Sequence, residues 1–121
     1  MQRSIEWAAG LFEGEGCICN SISTYENGKY RYLDTAFRLV MTDEDVVRDF
    51  ADTLDLKVTG PYQNKTGIKP YWVVCTKAKQ TVRRCLLQLL PHLGSRRACK
   101  ALDALDIIEC KLSPEEFFKT T

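Results

Sequence analysis

The sequence predicts one α+β domain: a four-stranded antiparallel sheet with helices on one of its faces, in the order αββαββα. Two observations carry this. Apolar residues recur at helical spacing in separate stretches, and between them lie two alternating stretches that each fold back on a turn signal. A third bounds it: 121 residues suit one core, whereas two domains would each be too small to bury enough surface. Residues 1–121 therefore read as a single domain.

Ser4 caps a helix over about residues 5–14, with Trp7, Ala8, Leu11 and Phe12 at helical spacing and Gly14 and Gly16 ending it. Residues 17–25 alternate Ile18, Asn20, Ile22 and Thr24 against Cys19, Ser21, Ser23 and Tyr25, as a strand does. Glu26-Asn27-Gly28-Lys29 carries the Asn-Gly signal of a tight hairpin. The return strand, about 30–41, sets Leu33, Thr35, Phe37, Leu39 and Met41 against Tyr32, Asp34, Ala36, Arg38 and Val40. Thr42-Asp43-Glu44-Asp45 opens a second helix, its acids facing the positive end of the dipole, with Val46, Val47, Phe50, Ala51 and Leu54 as its apolar stripe.

A second hairpin follows: strands over 57–64 and 69–76 joined around Lys65-Thr66-Gly67, with Trp72 and Val74 facing one side and Tyr71 and Val73 the other. Trp72 belongs to the core. A third helix runs from about 77 to 90 and stops at Leu90-Pro91, where His92 reads as a capping or packing residue. Ser95 starts a fourth, amphipathic through Ala98, Ala101, Leu102, Leu105 and Ile108. Ser113-Pro114-Glu115-Glu116 begins a last turn with Pro at its first helical position.

Composition narrows the function. With 45% apolar and 27% charged residues the chain is not disordered, and no apolar run reaches the roughly 20 residues of a membrane span. Met1-Gln2-Arg3-Ser4-Ile5-Glu6 has no secretory signal, and the chain reads as complete, without the terminal residues of a self-splicing element. The six cysteines include no C-x-x-C; the close pair Cys17-x-Cys19 is expected to alternate sides on a strand, and four others lie in apolar or helical stretches. They read as small, reduced hydrophobes, which places the chain in the cytoplasm or an equivalent reducing compartment, an organelle matrix included.

Charge is segregated. Residues 1–56 hold 11 acids and 5 bases, whereas residues 57–100 hold 10 bases and no acid. A solvated face normally mixes signs, so this block points to an anionic partner. Helices on one side of the sheet leave its other face bare, displaying Cys19, Ser21, Ser23, Tyr25, Tyr32, Asp34, Arg38, Gln63, Lys65, Lys69 and Tyr71. That face is polar and partly basic, and strands of this kind can read DNA in the major groove.

The segment 8–16, Ala-Ala-Gly-Leu-Phe-Glu-Gly-Glu-Gly, is odd for a plain helix. Gly costs about 1 kcal/mol there relative to Ala, which makes sense where another backbone approaches closely. Glu13 and Glu15 sit at the negative end of the dipole, where a carboxylate is disfavoured unless a cation binds. The segment resembles the LAGLIDADG motif, aligning Ala8 with its first Leu and Glu15 with its last Asp. The order of elements over about residues 4–110, Met41-Thr42-Asp43, and the Leu90-Pro91-His92-Leu93 stretch with Arg96 and Arg97 behind it extend the likeness. The chain thus resembles a single-motif LAGLIDADG homing endonuclease.

The resemblance implies a homodimer, with the motif helices of two subunits packed along a twofold axis through Trp7, Ala8, Ala9, Gly10, Leu11 and Gly14. It implies a site-specific endonuclease on a palindromic or near-palindromic double-stranded site, with Mg²⁺ held by Glu15, in-line hydrolysis and 3′ overhangs. Asp43 falls where the family holds an activated water, and Arg96 where many members have a catalytic Lys. An Arg can stabilise phosphate charge but cannot readily give up a proton. Glu13 orients or caps a helix end.

Base reading falls to Ser21, Ser23, Tyr25, Asp34, Arg38, Gln63, Lys65, Lys69 and Tyr71, with Lys77, Lys79, Arg83, Arg84, Arg97 and Lys100 clamping phosphates. Three alternatives stay open: a non-cleaving RNA maturase or DNA-binding regulator, half of a two-motif protein, and a plain helix with solvated charges. No membrane partner is expected.

Overall fold

The computed structural model describes residues 1–25, 27, 28, 30–67 and 69–109, of which 23–25 and 30–33 are described by backbone alone. The elements run α1 (Ile5–Glu15), β1 (Gly16–Tyr25), β2 (Tyr30–Met41), α2 (Glu44–Leu54), β3 (Val58–Tyr62), β4 (Tyr71–Thr76), α3 (Lys79–Leu89), a 3₁₀ turn (Leu90–His92) and α4 (Ser95–Ile108). The expected turn at 113–116 and Cys110 lie outside the described residues. All strand pairs are antiparallel in the order β1-β2-β4-β3, so β1 and β3 are the edges. In the first hairpin Asn27 and Gly28 have φ of 57° and 83°, the paired positive values that the Asn-Gly signal calls for.

The helices cover the face formed by Ile18, Thr35, Phe37, Leu39 and Val74, all buried. Phe12 of α1, Phe37 of β2 and Phe50 of α2 stack at its centre; the Phe12 and Phe37 rings are 4.5 Å apart and 3° from parallel. Ser4 caps α1 as expected, its hydroxyl accepting from the Trp7 N–H at 3.1 Å. Leu102 is 50% exposed; Ala104 and Ile107 fill the α4 stripe instead. Trp72 is partly buried against the core, and His92 is exposed rather than packed.

Four expectations need correction. Ala8 and Ala9 are fully buried in the chain's own core and cannot meet a partner helix. Exposed instead are Gly10 and Gly14, where an added Cβ would meet open space, with Trp7 and Leu11 half-buried beside them. Cys17 and Cys19 share one face of β1, because residues two apart on a strand point the same way. Only Cys85 of the described cysteines is buried, and burial pushes its thiol up to about 11; Cys75 and Cys99 lie on outward faces of β4 and α4.

The fourth concerns Arg84, which is no phosphate clamp. Its guanidinium donates to the Leu54 carbonyl at 2.7 Å and the Asp55 carbonyl at 3.4 Å, capping the C-terminal end of α2.

Candidate nucleic-acid interface

Helix α1 passes into β1 without a linker, because Gly16 is both the helix cap and the first strand residue. Its backbone is extended rather than left-handed, so its glycine serves space and not conformation. A Cβ at Gly16 would strike the Phe12 ring. The helix can therefore sit down on the sheet, and Glu15 is delivered exposed at the corner between them.

Glu13 turns the other way. Its Oε1 accepts from the Gly94 backbone N–H at 3.0 Å, and its Oε2 lies 3.8 Å from Arg97 Nε. Gly94 is the N-cap of α4 and has no side chain to cap with, so Glu13 does that work from another helix. The carboxylate that α1's negative end disfavours is favoured by the positive end of α4. Glu13 Oε2 and Arg97 Nε are buried with no hydrogen-bond partner among the described residues, so their attraction is coulombic, across a gap too long for a hydrogen bond. The guanidinium of Arg97, whose side chain is 18% exposed, also lies 5.7 Å from the Phe12 ring centre.

Beside this corner opens a cleft of about 420 Å³ lined by Gly16, Cys17, Arg96, Arg97 and Lys100. Three cations and no carboxylate line it, which suits a phosphate. Asp43 stands apart: it is exposed at the N-cap of α2, makes no capping bond, and has no described contact with Glu15 or Arg96.

The uncovered sheet face has two halves. Toward the β1 edge stand Cys17, Cys19 and Ser21, with Arg38 opposite Cys17 and Asp34 opposite Ser21. Toward β3 the face is aromatic, with Tyr62 and Tyr71 ring centres 5.6 Å apart. Arg38 divides the halves and lines two shallow grooves. One, of about 390 Å³, also holds Thr59, Tyr62, Tyr71, Val73 and Cys75; the other, of about 340 Å³, holds Val40, Met41, Thr42, Asn64 and Tyr71.

Solved structures of low sequence identity share this architecture. The homing endonuclease I-CvuI, solved with the I-CreI target DNA and Mg, matches with a TM-score of 0.71 at 21% identity, over 87% of this chain and 65% of that one. The group I intron-encoded homing endonuclease I-CeuI, complexed with DNA, gives 0.72 at 13% identity over 88% and 54%. The LAGLIDADG homing endonuclease I-GzeII, in complex with its DNA target, gives 0.69 at 18% identity over 98% and 42%. This is the LAGLIDADG homing endonuclease fold. No protein-family model matches the chain, and no curated protein matches it. The chain spans about two thirds of I-CvuI's length or less of the others named.

Within the LAGLIDADG fold the predicted residues fall in separate groups. Arg96, Arg97 and Lys100 gather at the cleft beside Gly16, while Ser21, Asp34, Arg38 and Tyr71 share the uncovered face. Gln63, Lys65 and Lys69 do not stand on strands: β3 ends at Tyr62 and β4 begins at Tyr71, which leaves these residues exposed in the connection. Lys77 and Lys79 are exposed around the start of α3, and Arg83 lies 3.8 Å from Glu109. The side chains of Ser23, Tyr25 and Tyr32 lie outside the described ones.

Sequence reasoning missed Thr59, Tyr62 and Cys75. Thr59 pairs with Val73 and Tyr62 with Tyr71, and the register shifts between Thr59 and Tyr62, around the cis Gly60–Pro61 bond. One inserted residue swaps the faces of everything after it, so Tyr62 and not Gln63 faces outward. The Gly-Pro pair was the signal for such a break.

Proposed function

We propose that the chain is a site-specific double-strand DNA endonuclease that acts as a homodimer on a palindromic or near-palindromic site, depends on Mg²⁺ and leaves 3′ overhangs. The observation that carries the reading is the corner itself. An exposed carboxylate, Glu15, immediately precedes a cleft lined by three cations, on a fold whose solved examples include DNA complexes. Among the described residues Glu15 makes no hydrogen bond or ion pair, whereas Glu13 is engaged within the chain.

Among the described residues no group of three or more His, Cys, Asp or Glu could hold a metal. The donor chemistry nevertheless fits Mg²⁺, which takes one or two carboxylates and completes its shell with water and phosphate. Glu15 would hold it, and when bound the ion supplies Lewis-acid stabilisation of a phosphodiester and activation of water. Arg96, Arg97 and Lys100 would grip the phosphate, Arg97 being set in place by Glu13. Asp43 is assigned to water activation on the resemblance alone. Arg38, Tyr71 and Tyr62 would read bases, with Ser21 and Asp34 at the other end of the face, and Gln63, Lys65 and Lys69 would reach the flanking duplex from their loop.

The homodimer rests on α1's outer stripe, Trp7, Gly10, Leu11 and Gly14, which is apolar and small enough for close approach of a second helix. A reducing compartment suits the free cysteines of this reading. Arg96 favours a second reading, a non-cleaving nucleic-acid binder, because a guanidinium keeps its proton.

Selection on a randomised palindromic DNA library with Mg²⁺, running wild type beside Glu15→Gln, separates the two. Cut products from wild type alone support the nuclease. Enriched but uncut DNA from both supports the binder, and no enrichment from either rejects DNA as the partner.

A further inference from the structure

We propose that Cys17 and Cys19 form a dithiol modification site, which a small-molecule disulfide of the glutathione type converts reversibly to an intramolecular disulfide. The two Sγ atoms lie 3.1 Å apart in a hydrogen bond, both side chains exposed on the uncovered face of β1. Two residues along a strand separate Cα atoms by about 6.4–6.8 Å, at the upper end of the roughly 4.4–6.8 Å that a disulfide spans. Because β1 is an edge strand, its backbone is held by β2 on one side only and can pucker as the sulfurs close. A bond formed at the limit of its reach is readily reduced again, which makes the modification reversible.

The surroundings suit an anionic oxidant. Arg38 is paired opposite Cys17, and Cys17 shares the basic cleft with Arg96, Arg97 and Lys100. Cations of this kind attract a carboxylate-bearing disulfide. The Cys19 thiol is pushed up, first by its hydrogen bond with Cys17 and then by burial, against the opposing pull of Lys100 and Arg38. Cys17, which lines the basic cleft, is the sulfur that such a reagent meets first.

In the first step the Cys17 thiolate forms a bond to one sulfur of the small disulfide. The S–S bond of the reagent breaks, and its electron pair leaves on a thiolate that takes up the proton Cys17 released. Cys19 then gives up its proton and attacks the Cys17 sulfur, expelling the second small thiolate, which is protonated in turn. Two protein thiols are oxidised and one small disulfide is reduced to two thiols. This chemistry holds whether or not the chain acts on DNA.

The test exposes the whole reduced chain to oxidised glutathione, alkylates the remaining thiols, and maps tryptic peptides by mass. Cys17 and Cys19 fall together on the peptide 4–29, which contains no other cysteine. The expected result is that peptide lighter by two hydrogens and unalkylated, restored by dithiothreitol, with Cys19→Ser trapping glutathione on Cys17. Glutathione persisting on either sulfur of the wild type would overturn closure. Full alkylation of both, under conditions that modify exposed Cys75 or Cys99, would overturn the site. An equal rate in denaturant would assign the bond to chain proximity, against a site built by the fold.

Discussion

The Phe12 ring occupies the space that a Cβ on Gly16 would fill, four residues along the chain from it. Phe12 cannot move aside cheaply, because it is stacked on Phe37 at 4.5 Å with Phe50 behind them. Gly16→Ala should therefore destabilise the fold by about 1–3 kcal/mol, the usual range for overpacking. Chemical denaturation measures this, and an unchanged midpoint would mean that the corner relaxes freely.

Glu13→Ala removes the acceptor for Gly94 and leaves Arg97 without its counter-charge. Loss of a cap costs about 0.5–2 kcal/mol, so thermal melting should begin lower. Gly94→Ala should reproduce the loss, since its Cβ would land on Glu13 Oε1. If Glu13 does set Arg97 for phosphate, Glu13→Gln, which keeps an acceptor but not the charge, should weaken DNA binding more than it lowers stability. Equal binding by Glu13→Gln and wild type would separate the two roles.

Substitutions one residue apart on α1 should have opposite signatures. Ala9→Leu overfills a position with no exposed surface and should lower stability whatever the oligomeric state. Gly10→Leu points into open space, so it should leave the subunit folded and shift sedimentation toward the monomer. A Gly10→Leu protein of unchanged mass in solution would count against α1 as a dimer contact.

On the uncovered face, Arg38 borders both grooves, so Arg38→Ala should relax preference at one position of a half-site by about 1–3 kcal/mol. Lys100→Ala should instead weaken all sequences alike and lower the salt slope of binding by about 1. Competition binding over a salt series distinguishes them. A flat salt response of the wild type would leave the basic block in solvent.

The N-terminus gives a pH dependence. Asp49 Oδ1 accepts from the Met1 ammonium at 2.8 Å and Oδ2 from Arg3 at 3.0 Å; these hydrogen bonds hold its carboxyl below the ordinary 3.8. That contribution is present above the ordinary carboxylate value and is lost as pH falls through the lower folded one. The Met1 amine is raised above 8.0, first by Asp49 and then by Asp52, so its contribution is present below that value and is lost as pH rises through the folded one. The difference in melting temperature between wild type and Asp49→Asn should be largest between about pH 4 and 8 and shrink on both sides. A difference independent of pH would show that neither pair matters.

Periodicity revealed the element order and the core, because Phe12, Phe37 and Phe50 each fall on the expected apolar stripe. It was weakest where two faces compete for one residue. Ala8 and Ala9 suit a tight helix pair as well as a tight core, and only the packing of α1 on the sheet assigns them to the core. Tyr62 was hidden because a register shift has no period. Arg84 and Arg97 looked alike in a basic block, yet one caps α2 through Leu54 and the other answers Glu13. The exposure of Glu15 was legible for the opposite reason: a carboxylate at the wrong end of a dipole stands out in sequence, and the structure leaves it exposed at the corner.

The bond between Glu13 and Gly94 spans 81 residues, and this orders events during synthesis. The helix that presents Glu15 leaves the ribosome first, whereas its anchor is made about 4–16 s later at 5–20 residues per second. A nascent or stalled chain thus carries the motif with Glu13 unsatisfied and the basic cleft unbuilt. The corner is assembled only once residues 94–100 have been made, so a chain stopped before them carries Glu15 without the basic cleft beside it.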